Sequence, residues 1–475
     1  MKNKPDVPTR TERDSMGEMQ VPSQALYGAS TQRAVLNFPI SDLRYPRRFI
    51  KALGQVKLAA AQTNAELGLL DKAFADPIVK AAQEVVDGKL DEHFVLDIFQ
   101  TGSGTSTNMN ANEVIAHRAA SLVGASPPST KIHPNDHVNF GQSSNDVIPT
   151  ATHIAAASAI KEDLLPALAT LKHSLEKKSK EFWKIVKTGR THLQDATPIR
   201  LGQEFLGYAG QIERGIKRAN QALEELSEVA LGGTAVGTGI NTHPEFAKKA
   251  SARLSHMTGL QIHETSNHFQ AQATLDNCVA ASGALKTIAV SIIKIANDVR
   301  WLGSGPRAGI GELDLPAVQP GSSIMPGKVN PVIAESAIMA CFQVIGNDAT
   351  IALGGQSGNF EINLTMPIVA YDLLQSVSLL AKTAKNLATQ CIDGLKATER
   401  GPEMVERGLA IGTSLAPIIG YDAAAAIVKE AAKTGKSIRE VAREKTELSE
   451  KQLDKILNPA LMVEPSADRV GAGGG

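Results

Sequence analysis

The sequence predicts a mainly α-helical chain with a central bundle of long helices. Aromatic residues make up only 4% of the 475 residues, and Ala, Leu and Ile carry most of the apolar content, which favours helix over sheet. Apolar residues recur at three- and four-residue spacing over many turns in segments 150–182, 199–229 and 275–301. After residue 401 the helical patterns become short, which indicates a small C-terminal domain.

The other predicted elements also differ in length along the chain. Residues 1–48 are rich in Pro and Arg and have weak periodicity, so we expect them to be mostly irregular. Further helices are predicted at 49–67, 76–88, 331–353, 367–391, 402–412, 422–434, 437–444 and 449–457.

Three domains follow from these patterns. We expect an N-terminal mostly helical domain at 1–141, a central long-helix bundle at 142–400 and a small C-terminal helical domain at 401–475.

The clearest helical pattern lies at 275–301. Few charges interrupt it, so we expect this helix to be buried nearly all round and to pack against bundles of other subunits. Its predicted apolar stripe comprises Leu275, Val279, Leu285, Ala289, Ile292, Ala296 and Val299, widened by Ile288 and Ile295.

Charge and cysteine content exclude several classes of function. Lys plus Arg and Asp plus Glu both number 49, which argues against nucleic acid or an anionic membrane as partner but allows a small anionic substrate. Cys278, Cys341 and Cys391 lie far apart, so neither a disulfide framework nor a cysteine-ligated iron–sulfur cluster at ordinary spacing is expected. The histidines have no metal-binding spacing, and we predict no metal and no cofactor.

Targeting and membrane signals are weak as well. The first thirty residues contain no apolar core of a signal peptide, and no stretch reaches eighteen uninterrupted apolar residues. We therefore expect a soluble, cytoplasmic protein without a membrane segment.

Four segments combine glycine, hydroxyl and amide residues ahead of a predicted helix. TGSGTSTNMNANEV at 101–114 contains Asn110 and Glu113 as a capping-box-like helix start, and GQSSNDVIPTA begins at 141. In GRTHLQDATPIRLGQEF at 189–205 we expect Thr197 and Pro198 to form the cap and first turn. In GSSIMPGKVNP at 321–331, Asn330 and Pro331 are expected to take the same two positions.

Such junctions present free backbone N–H groups and hydroxyls at the positive end of a helix dipole, an arrangement that binds carboxylates. Ser, Thr, Asn and Gly also cap ordinary helices, and for any one junction except 321–331 capping alone is the better explanation. Four junctions together favour a ligand with more than one carboxylate.

The segment GSSIMPGKVNP resembles the signature of the fumarase/aspartase superfamily, and the resemblance extends over about residues 10–463. TGSGTSTNMN, QSSND, GRTHLQDATP and Gly327 resemble the class II fumarases in particular. Related aspartate ammonia-lyases typically have Ala at the position of Gly327, QSTND instead of QSSND, and Gln at the position of His192.

This resemblance implies a homotetramer with a twenty-helix core, and active sites that are each built from three subunits. The implied reaction is the metal-independent, reversible hydration of fumarate to (S)-malate, a step of the tricarboxylic acid cycle. The implied partners are these two dicarboxylates and further copies of the chain.

The resemblance also assigns the base. Ser322 would remove the C3 proton of malate as an alkoxide stabilised by Lys328 and nearby backbone N–H groups. Lys328 and Asn330 would bind the carboxylate that takes up the charge, with help from Ser323 and Val329. The glycines on either side would let this loop close over the substrate.

On the opposite side of the substrate, His192 is the implied catalytic residue, acting through a bound water, while Thr191 holds substrate. Glu335 would pair with the histidine and raise its basicity. The remaining substrate-binding residues implied by the resemblance are Ser103, Gly104, Thr105, Ser143, Ser144 and Asn145.

A secondary dicarboxylate site is implied at His133, Pro134, Asn135 and Asp136. A simple Pro-Asn-Asp turn explains the same residues equally well.

Two alternative functions are weighed against fumarate hydration. An aspartate ammonia-lyase of the same superfamily would share the fold and the serine base, and an assay with malate and aspartate side by side would separate the two. A non-catalytic helical scaffold would be free to lose Ser322, Lys328 or His192, and all three are present.

Overall fold

The computed structural model describes residues 8–124, 132–467 and 470. Within these residues the chain forms seventeen α-helices and ten short strands, and the strands pair two by two rather than in a larger sheet. The predicted mainly α-helical class is therefore confirmed.

The helices are α1 Ala29–Asn37, α2 Arg47–Glu66, α3 Lys72–Val86, α4 Thr105–Leu122, α5 Ser144–Ala159, α6 Leu165–Glu181, α7 Leu201–Glu225, α8 Phe246–Thr258, α9 His268–Ala273, α10 Asp276–Leu302, α11 Val332–Gly355, α12 Met366–Gln390, α13 Arg400–Val405, α14 Ala416–Ile419, α15 Tyr421–Thr434, α16 Ile438–Lys445 and α17 Glu450–Ile456. The strands are β1 Thr9–Asp14, β2 Gly17–Pro22, β3 Val186–Thr191, β4 Gln194–Arg200, β5 Glu228–Val229, β6 His263–Glu264, β7 Leu313–Asp314, β8 Gly358–Asn359, β9 Ile362–Asn363 and β10 Lys396–Ala397.

The chain divides into two compact units, and each is discontinuous in sequence. Unit 1 comprises residues 1–166, 216–289 and 341–381, and unit 2 comprises residues 167–215, 290–340 and 382–475. Helices α7, α10, α11 and α12 each contribute residues to both units. The three domain boundaries predicted from the sequence stay a prediction.

In unit 1, helix α2 packs against α3, α5 and α8, and α4 packs against α1 and α3. Val21, Ile78, Val85 and Val114 are fully buried in this part of the core. Burial of such side chains stabilises by about 1.5–3 kcal/mol each, which fixes the helices that lead into the site.

In unit 2, the β3–β4 hairpin packs against α13 and against a 3-10 helix at Leu409–Leu415. Strands β7 and β10 pair antiparallel. The C-terminal helices enclose a small core of their own, in which Leu415, Val441 and Leu453 are fully buried.

The long predicted helices occur within a few residues of their expected limits, except the one predicted at 150–182. That segment begins at Ser144 and consists of α5 and α6 with a π-helical turn, Ile160–Leu164, between them. In α10 the predicted stripe is buried apart from Val279, which is half-buried. The opposite face is not covered within one chain, since Val290 and Trp301 are each 52% exposed. The expectation of burial nearly all round is therefore not met by the chain alone.

Helices α10 and α11 are also long and apolar enough to cross a membrane by length and composition, with 50% and 44% of the most apolar window buried. Core helices of soluble proteins have the same properties, so this observation alone is weak evidence for a membrane.

Two predictions of local structure were wrong. Of the predicted irregular segment 1–48, residues 1–7 lie outside the described residues, and residues 8–48 are not mostly irregular, because β1 and β2 form a hairpin and α1 follows it. The predicted helix at 402–412 is replaced by α13 and the 3-10 helix at Leu409–Leu415. In both places short elements are fixed by tertiary contacts that periodicity does not record.

Glu113 does not begin a helix with Asn110, since α4 already starts at Thr105. Its buried carboxylate instead accepts hydrogen bonds from the backbone N–H groups of Gly28, Ser30 and Thr31, at 2.9–3.1 Å, and from the Thr31 hydroxyl at 2.6 Å. These donors form the first turn of α1, which has no side-chain cap of its own. Glu113 therefore caps α1 from another helix.

We predict that Glu113→Gln destabilises the protein by about 1–3 kcal/mol, because an amide cannot accept at both positions and leaves buried donors unpaired. Denaturant unfolding followed by circular dichroism measures the change. Glu18→Gln, on an exposed position of β2, is the control and should leave the unfolding midpoint unchanged. Equal effects of the two substitutions would contradict the capping role.

Candidate active site

The first hydroxyl-rich junction leads into α4. Gly104 precedes the helix with φ 69°, a left-handed conformation that favours glycine. A Cβ on Gly102 would lie 1.9 Å from the Leu364 carbonyl oxygen, so only glycine fits there. The Ser103 hydroxyl lies 2.7 Å from that of Thr105 and is buried.

The second junction begins α5 beside the first. Ser143 caps α5, and its side chain and that of Asp146 form a reciprocal capping box. The hydroxyls of Ser144 and Thr105 are 2.8 Å apart, so the α4 and α5 N-termini meet. The structure thus brings together two of the four segments within unit 1.

A glycine-rich segment that sequence analysis missed completes this cluster. The side-chain amide of Asn145 donates to the Ala235 carbonyl at 2.8 Å. The segment GGTAVGTG at 232–239 has left-handed backbone at Gly232, Gly237 and Gly239. Four glycines in eight residues were the available signal, but no helix follows them directly and no hydroxyl pair marks them.

Asp146 holds the glycine-rich segment against α5. Its Oδ2 accepts from the N–H groups of Gly232 and Thr234 at 3.0 and 2.9 Å, and its Oδ1 accepts from Ser143 N–H at 3.0 Å. Burial raises the pKa of the Asp146 carboxyl to about 6, while these N–H groups and Lys57 oppose the rise. The carboxylate is therefore ionised at neutral pH and uses both oxygens.

Lys57 supports the same region from α2. It is fully buried, and its ammonium donates to the side-chain oxygens of Asn139 and Gln142 at 2.9 and 3.0 Å. Burial lowers the pKa of Lys57 to about 7, with Asp146 opposing the change. The loop that leads to Ser143 is thus fixed by hydrogen bonds from the buried Lys57 amino group.

The third segment is a hairpin, not a capped helix start. Thr197 and Pro198 lie in β4, and α7 begins only at Leu201, so the predicted cap was wrong. Thr191 pairs with Gln194 and leaves His192 and Leu193 as a two-residue turn with φ 57° and 61°. Positive φ at both residues is typical of hairpin turns, although Asn and Gly are the usual residues there.

His192 stands at the tip of this hairpin with its side chain exposed. A left-handed conformation at the bulky Leu193 is unfavourable, and strain of this kind concentrates at functional sites. The hairpin therefore projects Thr191 and His192 away from the body of unit 2.

The fourth segment, at 321–331, is a loop whose two ends are joined by hydrogen bonds. Gly321 N–H donates to the Lys328 carbonyl at 2.9 Å, and the Asn330 side chain donates to the Gly321 carbonyl at 2.6 Å. A Cβ on Gly321 would lie 2.3 Å from the Lys328 carbonyl oxygen, so a glycine is needed there. Between these ends the loop is exposed, and Ile324 is 83% exposed.

Within this loop the Ser322 hydroxyl oxygen accepts from the N–H groups of Ile324 and Met325, at 3.2 and 3.1 Å. Two converging N–H groups stabilise negative charge on an oxygen. Ser323, Gly327, Lys328 and Val329 are exposed around it.

Helix α11 begins at Val332, one residue later than predicted. The Pro331 carbonyl accepts the first helical bond, from Glu335 N–H at 3.0 Å, so Pro331 takes the cap position expected for Asn330. Glu335 lies in the first turn of α11 and is half-buried.

Within the described part of a single chain, the side chains of His192, Lys328 and Glu335 have no hydrogen-bond or ion-pair partner. The expected pairing between His192 and Glu335 is therefore not formed inside one chain. These side chains are free to meet a ligand or another subunit.

The segment His133–Asp136 begins a π-helical turn, Pro134–Val138, with His133 as its cap. The His133 Nδ1 accepts from Asp136 N–H at 3.1 Å and lies 3.1 Å from an Asp136 carboxylate oxygen. Asn135 and Asp136 line one end of a cleft of about 530 Å³ that also includes Ser143 and Thr234. The turn and the secondary dicarboxylate site remain alternatives, and the dicarboxylate site stays a prediction.

No set of three His, Cys, Asp or Glu side chains that could hold a metal ion occurs among residues 8–124 and 132–467. The expectation of a metal-free site stays a prediction.

The chain is similar to known proteins over nearly its whole length. A family profile described as Lyase matches residues 17–346, and one described as Fumarase C C-terminus matches residues 411–464. Fumarate hydratase class II of Halobacterium salinarum is 54% identical over 451 residues, covering 95% of this chain and 96% of that protein. Fumarate hydratase class II 2 of Bradyrhizobium diazoefficiens is 51% identical, covering 96% and 97%.

Among solved structures, the class II fumarase of Schistosoma mansoni superimposes with a TM-score of 0.93 at 38% identity, covering 96% of this chain and 99% of that one. The helical fold and the GSSIMPGKVNP loop define a lyase of the fumarase/aspartase superfamily. Within that superfamily the chain belongs to the class II fumarate hydratases.

We predict that Asp146→Asn raises KM for (S)-malate on the order of 10-fold with a smaller change in kcat, because the α5 junction and the glycine-rich segment lose one of two acceptor oxygens. Steady-state kinetics measures the effect. Asp71→Asn is the matched control, since Asp71 caps α3 through one oxygen only and Asn caps equally well. An unchanged KM in Asp146→Asn would contradict the role.

Proposed function

We infer that this chain catalyses the reversible hydration of fumarate to (S)-malate. The observation that carries the inference is the Ser322 hydroxyl oxygen, which accepts two backbone N–H groups on an exposed, glycine-bounded loop beside the unpaired Lys328. Donors two and three residues along the chain also occur in ordinary serine turns. Such a turn needs no exposed, unpaired cation on the same loop, whereas a serine that must carry negative charge does. Membership of the class II fumarate hydratases supports the same reaction.

The α4 and α5 junctions bind one carboxylate of the substrate. At two helix N-termini, the Thr105 hydroxyl is within hydrogen-bond distance of both the Ser103 and the Ser144 hydroxyls. Hydroxyls and free N–H groups hold an anion without a buried cation, and the helix dipoles add to the attraction. Gly104, the Ser143 cap and the Asn145 side chain belong to the same group of residues.

In the direction of dehydration, Ser322 as the alkoxide takes the C3 proton of malate. The electron pair left on C3 delocalises into the neighbouring carboxylate, which then bears additional negative charge. Lys328, Asn330 and the loop atoms of Ser323 and Val329 stabilise that charge. The intermediate then expels its C2 hydroxyl with a proton, which yields fumarate and water.

His192 serves the opposite side of the substrate. Through a bound water it delivers the proton that leaves with the hydroxyl, and Thr191 orients the substrate beside it. Glu335 pairs with His192 and raises its basicity. The pairing requires Glu335 of another chain, which fits the absence of a partner for either side chain within the described single chain.

The active unit is a homotetramer in which each site takes loops from three subunits. Large apolar side chains support this assembly, since they are exposed on the two most apolar long helices of the single chain. They are Val290 and Trp301 on α10, and Met339, Phe342 and Leu353 on α11, each between 52% and 64% exposed. A patch of this kind marks a protein interface. The cytoplasmic location stays a prediction.

The aspartate ammonia-lyase alternative has less support. His192 and the QSSND segment are present where ammonia-lyases typically have Gln and QSTND. Purified protein in chelator-treated buffer should form fumarate, followed by the ultraviolet absorbance of its double bond, from (S)-malate and not from L-aspartate. Fumarate formed from aspartate alone would establish the ammonia-lyase instead.

We predict that Ser322→Ala lowers kcat for (S)-malate dehydration by roughly 10²–10⁴-fold with little change in KM, because it removes proton transfer and little binding. Ser304→Ala is the matched control. Ser304 is another loop serine whose hydroxyl oxygen accepts a backbone N–H, here from Ile310 at 3.1 Å. More than half of the wild-type activity in Ser322→Ala would rule out Ser322 as the base.

We predict that Ser322→Ala and His192→Asn complement each other when they are unfolded and refolded together. If Ser322 and His192 of one site come from different chains, mixed tetramers contain some sites with both wild-type residues. Malate dehydration should exceed the sum of the two variants refolded separately. No gain in confirmed mixed tetramers would mean that both residues of a site belong to one chain.

A further inference from the structure

Four charged side chains, two of them buried and two partly exposed, form a network at the base of the β3–β4 hairpin. The Lys187 ammonium lies 2.9 Å from a Glu204 carboxylate oxygen and 3.1 Å from one of Glu312. The Arg190 guanidinium donates to both oxygens of Glu312, at 2.6 and 3.2 Å. Glu312 is the only one of the four that contacts both cations of β3 by ion pairs.

The burial of this network is unusual for charged residues. The side chains of Lys187 and Glu312 are each only 1% exposed. Burying an ion pair costs several kcal/mol per charge in lost hydration, and well-packed apolar side chains at such positions are often equally stable or more so. Stability alone is therefore a weak reason for four charges here, and fixed orientation is a better one.

The backbone of Glu312 is fixed by two hydrogen bonds, one to each side. Its N–H donates to the Leu302 carbonyl at the end of α10, at 2.8 Å, and its carbonyl accepts from Thr398 N–H at 3.1 Å. The next residues, Leu313 and Asp314, pair with β10. Glu312 thus connects the hairpin to a long helix and to a strand pair.

The two cations that Glu312 binds lie on the strand that ends in the catalytic turn. Arg190 is followed directly by Thr191 and then by His192. The turn has no packing partner for the exposed His192 side chain within the described single chain, so its direction depends on how the strand below it is fixed. A displacement of about 1 Å at a catalytic group can lower a rate 10²-fold.

We propose that Glu312 is a positioning residue that sets the orientation of Thr191 and His192 through Arg190 and Lys187. The proposal rests on the catalytic role proposed for His192. Glu312 does not touch substrate. It limits the hairpin to one orientation, in which His192 delivers its proton from the correct side.

A double-mutant cycle with Glu312→Gln and His192→Asn tests this role, with kcat and KM for (S)-malate and the thermal unfolding midpoint as readouts. Glu312→Gln in the wild-type background should lower kcat on the order of 10- to 100-fold, with KM changed less than about threefold. In the His192→Asn background the same substitution should lower kcat less than about threefold, because the group that it positions is already absent.

Asp348→Asn is the matched control. Asp348 is a buried carboxylate that accepts from Ser282 at 2.8 Å and pairs with Lys286 at 2.5 Å, and none of these residues is assigned to the site. Its substitution should lower the unfolding midpoint and leave kcat within about twofold in both backgrounds, which separates general destabilisation from positioning.

If Glu312→Gln does not fold, Arg190→Lys replaces it in the cycle, since it breaks the two-bond contact and keeps the charge. Equal losses of kcat with and without His192 would overturn the proposal and leave the function of His192 intact. Wild-type activity of His192→Asn alone would overturn the proposed role of His192, and the positioning role with it.

Discussion

Buried carboxylates that bind the backbone or cations of a distant segment hold the irregular parts of this chain in place. Glu113 fixes the start of α1, Asp146 fixes the glycine-rich segment at 232–239, and Glu312 fixes the hairpin below His192. Each uses both oxygens, so each connects two or more donors that would otherwise be unpaired. A loop on such an anchor has a defined conformation without regular secondary structure.

Hydrogen bonds from backbone N–H groups also explain how the proposed site binds an anionic substrate although the chain carries no net charge. Some backbone N–H groups donate to a carboxylate inside the protein. The N–H groups left open at the α4 and α5 N-termini are donors of the same kind. Asp146 satisfies the inner donors of its junction, and the hydroxyls of Ser144 and Thr105 face each other next to it. In the proposed mechanism, such open donors attract a substrate carboxylate through their partial positive charges, so the chain needs no excess of basic residues.

Periodicity made the long helices predictable, because each repeats one apolar face over many turns, as α10 does with Leu285, Ile288 and Ile292. It failed where a contact between distant residues decides the structure. Glu113 follows Asn110 at capping-box spacing, yet its real partners lie more than eighty residues earlier. Thr197–Pro198 has the composition of a helix cap but lies in β4, where Pro198 pairs with Thr188 of β3. The β-branched Thr197 and Ile199 also suit a strand.

The candidate site shows the same division. Its residue types can be predicted from short motifs, whereas contacts between residues distant in sequence cannot. The two N–H groups on Ser322 come from residues two and three positions along the chain, so a short motif carries them. The buried network around Glu312 joins residues more than one hundred positions apart. No single segment contains its pattern.

The apolar surfaces of α10 and α11 set a constraint of a different kind. Their exposed large side chains need a covering that is not water, and a lipid bilayer or a second protein surface would both provide it.

Lys286 and Asp348 form an ion pair on these two helices, with Lys286 45% exposed. Lys294, also exposed, lies on α10 two turns further on. Charged side chains near the middle of a spanning helix are unfavourable in hydrocarbon, whereas a protein interface can leave them at a hydrated rim. The pattern on these helices therefore favours other copies of the chain as the covering, which agrees with the proposed tetramer and with a site whose free His192, Lys328 and Glu335 are completed by neighbouring subunits.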